Sequence, residues 1–265
     1  FSDFVFVLLY YIIGYRKKTV NKNLRNSFPE KSDREIAAIR KKFYRYFCYL
    51  FLETFKTLSI GKKSMLKHCK LNEHAYKLFQ KYYQEKKSFI IVMGHFGNWE
   101  WAGNTFSIRC KHQLYVLYHP LGNKYFDKLI VGMRTRFGTK LIKMKNTFRD
   151  MIANKKIIGA TAFIADQTSP PENAYWTTFL NQDTPVFYGT EKIARKMNYP
   201  VVFVYIKRLR RGYYELFAET LFENPLQTKE GEISEAHTKR LEEEIIKQPE
   251  IWIWSHRRWK HKRKK

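Results

Sequence analysis

A short, continuous apolar run near the middle of the chain constrains the fold most strongly. Residues 88–93 read Ser-Phe-Ile-Ile-Val-Met, and the run ends at Gly94. A segment this short and this uniformly apolar is typical of a strand that is buried on both faces and leads through a turn into a helix. Such strands belong to parallel sheets that are covered by helices, so this segment alone favours an α/β fold.

Strand and helix patterns alternate along the chain after this run. Strand patterns occupy residues 113–118, 157–165, 201–206 and 213–218, and helical patterns occupy residues 124–136, 147–154 and 190–197. The alternation predicts an α/β fold with a mainly parallel central sheet flanked by helices, in which ligands bind at the carboxyl ends of strands. Helices are also predicted after Ser32, through residues 72–84 and through residues 229–247.

The start of the chain is apolar and is followed at once by cations. Residues 4–15 are apolar, and Arg16 is the first of three consecutive basic residues. A membrane span needs roughly 20 apolar residues, and a basic flank is typical of its cytoplasmic side. Because the first residue is not Met, we interpret residues 1–15 as the end of an N-terminal membrane anchor and membrane-associated helical region. Residues 16–265 then form a single domain with a basic C-terminal tail. An ordinary buried terminal helix is the alternative.

Charge and cysteine content restrict the partners. Fifty Lys and Arg against 24 Asp and Glu give a formal charge of +26, which attracts nucleic acid, anionic lipid or acidic protein. Aromatic residues make up 17% of the chain, which favours a lipid headgroup surface, although a surface that stacks bases would look similar. Cys48, Cys69 and Cys110 are scattered, which argues against a disulfide framework and against a zinc site.

Two residues suited to acid–base chemistry follow the central strand. His95 lies where that strand should end, and Glu100 lies five residues later on the helix that begins there. An imidazole can take a proton from a hydroxyl, and a carboxylate on its other nitrogen would fix its tautomer. The spacing by itself is equally compatible with a structural histidine. It does not match the zinc-binding His-Glu-x-x-His pattern.

The residues around His95 are more informative than the spacing. Residues 94–100, Gly-His-Phe-Gly-Asn-Trp-Glu, resemble the catalytic box of the glycerolipid acyltransferase superfamily, and most closely that of the late acyltransferases of lipid A biosynthesis. The resemblance continues in the order of that branch at residues 23–29, at Asp127 with the two arginines that follow it, at residues 165–167 and at residues 254–259. It therefore covers nearly the whole chain.

The resemblance implies roles for the matching residues. The family's histidine is a general base and its glutamate supports that base, which points to His95 and Glu100. A downstream arginine and an aspartate complete the family's site, which points to Arg134 and Asp166. Substrate binding is expected of Asn98, Arg134, Arg136, Asp166 and Gln167.

Alternatives exist for several of these residues. Without the resemblance, Arg134 would be interpreted as a surface arginine, and Asp166 equally as a site carboxylate or as a cap on the following loop. Residues 118–120, Tyr-His-Pro, stand where the family usually has an Arg-Pro pair. Arg257 and Arg258 lie among three tryptophans, which suits phospholipid headgroups. Alternation there also predicts a C-terminal strand with aromatic residues inward and arginines facing water.

The resemblance implies an O-acyltransferase. We expect no metal, because no His and Cys ligands cluster around His95, and no cofactor, because the acyl thioester is a co-substrate. The donor is an acyl carrier protein or coenzyme A thioester, and the acceptor is an anionic lipid, a hydroxyl-bearing lipid A precursor, at the cytoplasmic face of a bacterial inner membrane. A lysophospholipid, aminolipid or other glycolipid acceptor is the alternative. A basic, non-enzymatic nucleic-acid-binding protein is the remaining hypothesis, but nucleic acid is not an expected partner because no recognisable motif accompanies the charge.

Overall fold

The structure is a computed structural model, which describes residues 1–263. Its strands are β1 (Cys69–Leu71), β2 (Phe89–Met93), β3 (Gln113–Tyr118), β4 (Lys140–Lys143), β5 (Gly159–Ile164), β6 (Ala174–Phe179), β7 (Gln182–Phe187), β8 (Val201–Arg210) and β9 (Tyr213–Phe222). Seven of them form one sheet in the order β1-β9-β8-β2-β5-β3-β4, and β6 and β7 form a separate antiparallel hairpin. In the seven-stranded sheet the pair of β8 and β9 is antiparallel and the other pairs are parallel. The predicted mainly parallel sheet is therefore confirmed.

Helices cover this sheet and precede it. They are α1 (Ser2–Val7), a π-helical segment (Leu8–Ile13), α2 (Lys17–Ser27), α3 (Asp33–Lys56), α4 (Lys62–His68), α5 (Glu73–Gln84), α6 (Trp99–Arg109), α7 (Lys124–Thr135), α8 (Thr147–Ala153), α9 (Gly189–Met197) and α10 (Glu232–Lys247), with 3₁₀ turns at Met144–Asn146, Pro171–Asn173, Pro225–Gln227 and Pro249–Ile251. The predicted start of α3 is confirmed, because Glu35 Oε2 accepts from the Ser32 backbone N–H at 2.9 Å and the Ser32 side chain accepts from Glu35 N in return.

The turn between β2 and α6 carries the residues of the site. Phe89 through Val92 are buried, which is why this part of the sequence is uniformly apolar. Gly97 has a φ of +65°, and a Cβ at this position would lie 2.7 Å from side-chain atoms of Ile206 on β8. The tight turn therefore needs a residue without a side chain, both for its left-handed backbone and for its approach to the neighbouring strand.

The N-terminal helical region packs on α3. Phe6 and Tyr10 are buried, and the Tyr44 hydroxyl donates to the Tyr15 carbonyl. Phe4 and Ile12 are 68% and 73% exposed, so this region also presents apolar side chains to its surroundings. Within residues 1–263, none of the helices combines the length and the hydropathy that a bilayer crossing requires. The anchor at residues 1–15 and the domain boundary that follows it stay predictions.

The predicted C-terminal strand is wrong. After the 3₁₀ turn at Pro249–Ile251 the chain forms irregular turns, with one isolated bridge between Phe96 and Trp252. Side chains from α2 bind the backbone there: Asn23 Nδ2 donates to the carbonyls of Trp254 and His256 at 2.9 and 3.0 Å. These carbonyls are satisfied without a strand partner.

The C-terminal segment also differs from the predicted pattern of burial. Trp252, Trp254 and Arg258 are buried, whereas Arg257 is exposed. The two arginines therefore do not share one surface. The end of the predicted basic tail, residues 264–265, lies outside the described residues.

Candidate active site

The register of the sheet brings His95 and Asp166 together. Strands β2 and β5 are parallel neighbours, and Met93 pairs with Ile164 at their carboxyl ends. His95 and Asp166 each follow these residues by two positions, so they leave the sheet side by side. His95 Nδ1 lies 2.6 Å from Asp166 Oδ1, and the His95 backbone N–H donates to Asp166 Oδ2 at 2.9 Å.

Asp166 is buried and is held from two further sides. Trp252 Nε1 donates to its Oδ2 at 2.8 Å, and the guanidinium of Arg258 lies behind it. Burial acts to raise the pKa of Asp166, but the ring and hydrogen bonds of His95 and the charge of Arg258 outweigh burial and hold this pKa well below its ordinary value. Asp166 is therefore a carboxylate throughout the neutral pH range.

This carboxylate decides the tautomer of His95. A carboxylate only accepts hydrogen bonds, so Nδ1 carries the proton and Nε2 of a neutral ring is left as an acceptor. Nε2 lies 3.3 Å from the side-chain nitrogen of Gln167, and His95 and Gln167 both line one cavity. The Trp99 ring packs edge-on against the imidazole with centroids 5.0 Å apart. In its neutral form the ring therefore presents Nε2, without a proton, to the cavity.

Glu100 has a different partner from the one predicted. We expected its carboxylate on the imidazole of His95, but Asp166 occupies that position. Glu100 instead accepts from Arg134 in a bidentate pair, with Nη2–Oε1 at 2.6 Å and Nε–Oε2 at 3.0 Å. A planar guanidinium matches the two carboxylate oxygens better than a ring nitrogen does, which explains this choice. Glu100 and Arg134 both line the cavity beside His95.

Arg134 keeps its charge in this position. Burial acts to lower the pKa of Arg134, but the charge and hydrogen bonds of Glu100 outweigh burial and raise this pKa. The side chains of Arg134 and Glu100 are 26% and 14% exposed, so water screens the pair only partly. The two residues form one fixed unit at the cavity mouth.

The cavity has a polar mouth and an apolar interior, with a volume of about 300 Å³. His95, Glu100, Arg134 and Gln167 line the mouth. Tyr118 and His119, which belong to the Tyr-His-Pro segment at residues 118–120, also line the cavity. The interior runs between the sheet and α6 and is lined by Ile91, Gly103, Phe106, Leu114, Val116, Ala162, Val204 and Leu216. Such a cavity suits an extended hydrocarbon chain whose reactive end stays beside His95.

Besides Asp166, which binds His95 Nδ1 and does not line the cavity, two further predicted substrate-binding residues lie outside it. Asn98 is buried and caps α6: its Oδ1 accepts from Trp101 N at 3.0 Å and its Nδ2 donates to Glu53 at 2.9 Å. Arg136 Nη1 donates to the Thr57 and Ile60 carbonyls at the end of α3. Neither residue lines the cavity. Helix ends leave backbone groups that need partners, and that need accounts for Asn98 and Arg136 without a substrate.

The sequence analysis did not predict that Trp252 and Arg258 lie beside Asp166. Trp252 and Arg258 reach it from positions 86 and 92 residues away. The cluster of tryptophan and arginine near the C-terminus is a visible signal, but nothing in its spacing indicates which residue it contacts. Among residues 1–263, no group of three His, Cys, Asp or Glu side chains is arranged to hold a metal ion.

Comparison with known proteins finds a family match that spans these residues. Residues 2–261 match the family model of bacterial lipid A biosynthesis acyltransferases. The match includes the turn after β2, the arginine of α7, Asp166 and the C-terminal segment that supports it. No curated protein matches the chain at a significant level.

Proposed function

The chain belongs to the bacterial lipid A biosynthesis acyltransferase family, and from this premise we propose that it transfers a fatty acyl chain from a thioester to a hydroxyl of a lipid A precursor, with His95 as general base. One observation carries the mechanism. His95 Nδ1 is bound to the buried Asp166 carboxylate at 2.6 Å, while Nε2 faces a cavity with an apolar interior. An oriented imidazole with a free nitrogen beside a hydrocarbon-binding cavity is suited to acyl transfer to a hydroxyl.

The reaction then needs no covalent enzyme intermediate. The acceptor hydroxyl binds beside His95 Nε2, which takes its proton as the oxygen attacks the thioester carbonyl. Asp166 stabilises the imidazolium that forms. The N-terminus of α6 faces the same mouth and favours the negative charge of the tetrahedral oxyanion. Collapse of the oxyanion breaks the carbon–sulfur bond, and the leaving thiolate takes the proton from His95. The products are an ester and a free thiol.

Arg134 is our candidate for the residue that binds the charged part of the acceptor lipid. Glu100 accepts hydrogen bonds from Nε and Nη2 of Arg134. This edge of the guanidinium therefore cannot also form a bidentate contact with a phosphate. The remaining Nη1 can donate to one phosphate oxygen of a lipid A precursor. In this scheme Glu100 orients Arg134 and does not touch the base, which revises the role that the resemblance implied.

The donor and the location follow from charge and family. An acyl carrier protein and coenzyme A are both acidic, and a chain with a formal charge of +26 attracts either of them. The same charge favours an anionic membrane surface. We place the reaction at the cytoplasmic face of a bacterial inner membrane, without metal, cofactor or nucleic acid. A lysophospholipid, aminolipid or other glycolipid is the alternative acceptor, because the box at residues 94–100 is shared by those branches.

Transfer of a radiolabelled acyl group by the purified full chain tests the proposal. Acyl carrier protein and coenzyme A thioesters are each offered with a lipid A precursor, a lysophospholipid and an aminolipid, with and without chelator. We expect product with the lipid A precursor, unchanged by chelator. His95→Ala should lower turnover by about 10²–10⁴-fold, the usual contribution of a general base.

The matched control is His74→Ala, because His74 is an exposed histidine on α5. It should keep normal turnover. A folded His95→Ala protein with near-normal turnover would remove the mechanism. Product with a different acceptor, and none with the lipid A precursor, would change the assignment of the substrate and leave the role of His95 intact.

A further inference from the structure

A buried arginine lines the same small internal cavity as the carboxylate that orients His95. Arg258 is only 2% exposed, and its guanidinium lies over the Phe179 ring at 4.7 Å from the centroid. It shares a small internal cavity with Asp166 and with His237 of α10. Within the described part of the chain, Nε and Nη1 of Arg258 have no hydrogen-bond partner. Two of the three guanidinium nitrogens are therefore enclosed without a partner among residues 1–263.

The charges around Arg258 leave Asp166 as its countercharge. Burial lowers the pKa of Arg258 to about 10, against the opposing effect of Asp166, so the guanidinium stays cationic at neutral pH. Burial, followed by the charge of Arg258, lowers the pKa of His237 to about 4, so His237 is neutral there. A buried cation is costly unless a nearby negative charge balances it. The carboxylate that lines the same cavity is Asp166.

We propose that Arg258 is a positioning residue for acyl transfer, which acts through Asp166 by keeping that carboxylate ionised and aligned on His95 Nδ1 without touching the substrate. This inference rests on the proposed function, in which His95 is the base. It assigns to the C-terminal segment a role in the chemistry in addition to packing.

Hydrogen bonds between the Asp166 loop and the C-terminal segment place Arg258 for this role. Thr168, two residues after Asp166, donates through Oγ1 to the Arg258 carbonyl at 2.8 Å. Trp252, six residues before Arg258, donates to Asp166 Oδ2 at 2.8 Å. The loop that carries Asp166 is thus attached to the C-terminal segment at the carboxylate itself and two residues after it. The guanidinium is held close to Asp166 by the fold and not by a flexible surface contact.

Several charged or titratable groups surround the pair of His95 and Asp166: Arg258 and His256 on the C-terminal segment, His237 on α10, Arg16 before α2, and Glu100 with Arg134 at the mouth. While His95 is neutral, the charges of Asp166 and Arg258 balance. A proton on His95 adds a second positive charge near Arg258. Removal of the Arg258 charge would relieve this repulsion and favour the imidazolium.

The test is the pH dependence of kcat/KM for the full chain with acyl donor and lipid A precursor. In Arg258→Met, imidazolium loses a repelling neighbour, so the acid limb should move to higher pH by about one unit or more. The rate deficit should be largest at low pH and should shrink as pH rises. Arg258→Lys keeps a cation and should leave the limb close to that of the wild type, although loss of the planar guanidinium lowers the rate.

Arg257→Met is the matched control, because Arg257 is the exposed neighbour of Arg258. Its acid limb should coincide with that of the wild type. An unmoved limb in folded Arg258→Met, or an equal shift in Arg258→Lys, would overturn the inference. If Arg258→Met does not fold, Arg258→Gln, which is also uncharged but keeps hydrogen-bonding groups, takes its place in the same comparison. His95→Ala separates the two proposals: normal turnover there removes the proposed function, whereas an inactive His95→Ala with an unmoved Arg258→Met limb removes only the role of Arg258.

Discussion

His95 contacts both oxygens of Asp166, through Nδ1 to Oδ1 at 2.6 Å and through its backbone N–H to Oδ2 at 2.9 Å. The side-chain contact fixes the tautomer of the ring, and the backbone contact fixes the plane of the carboxylate relative to the turn after β2. Orientation of the base thus depends on a residue 71 positions away, while the nearer Glu100 orients Arg134.

Asp166→Asn should lower kcat by roughly 10²–10⁴-fold in the folded protein, because the amide can hold the ring in the wrong tautomer and cannot stabilise imidazolium. It should also lower the melting temperature, because the variant leaves the buried Arg258 without its countercharge. KM should change little, since Asp166 does not contact the substrate in our scheme. Steady-state kinetics and thermal unfolding measure both quantities. Asp183→Asn, at an exposed position of β7, is the control. Normal kcat in Asp166→Asn would show that the ring does not need the carboxylate.

Glu100 and Arg134 should behave as one unit in a double-mutant cycle. We expect Glu100→Gln and Arg134→Met each to raise KM for the lipid acceptor, and the double variant to be no worse than the worse single variant. The reason is that the bidentate pair holds Arg134 toward the acceptor. The contrary pattern, with Glu100→Gln lowering kcat alone and its effect adding to that of Arg134→Met, would restore Glu100 as the partner of the base.

Gly103 offers control over acyl-chain length. It lies in α6, lines the cavity, and a Cβ at this position would make only ordinary contact with Leu114, at 3.8 Å. Gly103→Leu should therefore fold, gain up to about 1 kcal/mol of helix stability, and shift donor preference toward shorter chains by filling the cavity. A panel of thioesters of different length measures the preference. Gly132→Leu, on the exposed face of α7, should gain stability without any shift. Unchanged preference in Gly103→Leu would place the acyl chain elsewhere.

His237 should make the free energy of unfolding depend on pH between about 6.5 and 4. Burial lowers its pKa from 6.5 to about 4 in the folded chain, so within this window the unfolded chain binds a proton that the folded chain does not. Stability therefore falls as pH falls, by roughly 3 kcal/mol over the window. His237→Gln should remove this part of the slope, as measured by denaturant unfolding at pH 7 and pH 4.5. The contribution of Asp166 is also lost at low pH, but only below the ordinary pKa of an aspartate, 3.8. An identical slope in both proteins would contradict the assignment.

The exposed apolar face of the N-terminal helices should contribute to membrane attachment. Phe4→Ser combined with Ile12→Ser should weaken the affinity for anionic vesicles, measured by sedimentation, by tenfold or more. The reason is that burial of each apolar side chain in the membrane contributes roughly 1.5–3 kcal/mol to binding. Ile246→Ser on α10, where Ile246 is 56% exposed, is the control. Equal binding by all three proteins would mean that the attachment surface lies elsewhere.

Local patterns predicted most of the elements because burial on one or both faces leaves a short-range signature. The apolar run of β2, the capping box at Ser32 and the helices at residues 72–84 and 229–247 all appear where the sequence indicated them. The hairpin of β6 and β7 was not predicted. Its two-residue turn, Leu180-Asn181, has left-handed φ values but contains no glycine, which is the usual sequence signal of such a turn.

The sequence by itself determined that His95 stands at the carboxyl end of a buried strand, because both the strand and the glycines of the turn after it are local requirements. It also determined the charge of the chain and its family. Only the tertiary structure decided which carboxylate accepts the hydrogen bond from His95 Nδ1. That choice depends on β5, and not β3, lying beside β2, and on a register that pairs Met93 with Ile164. Strand order and register arise from packing between segments far apart in the chain, so no spacing near His95 could reveal that Asp166 would lie there and that Arg258 would lie behind it.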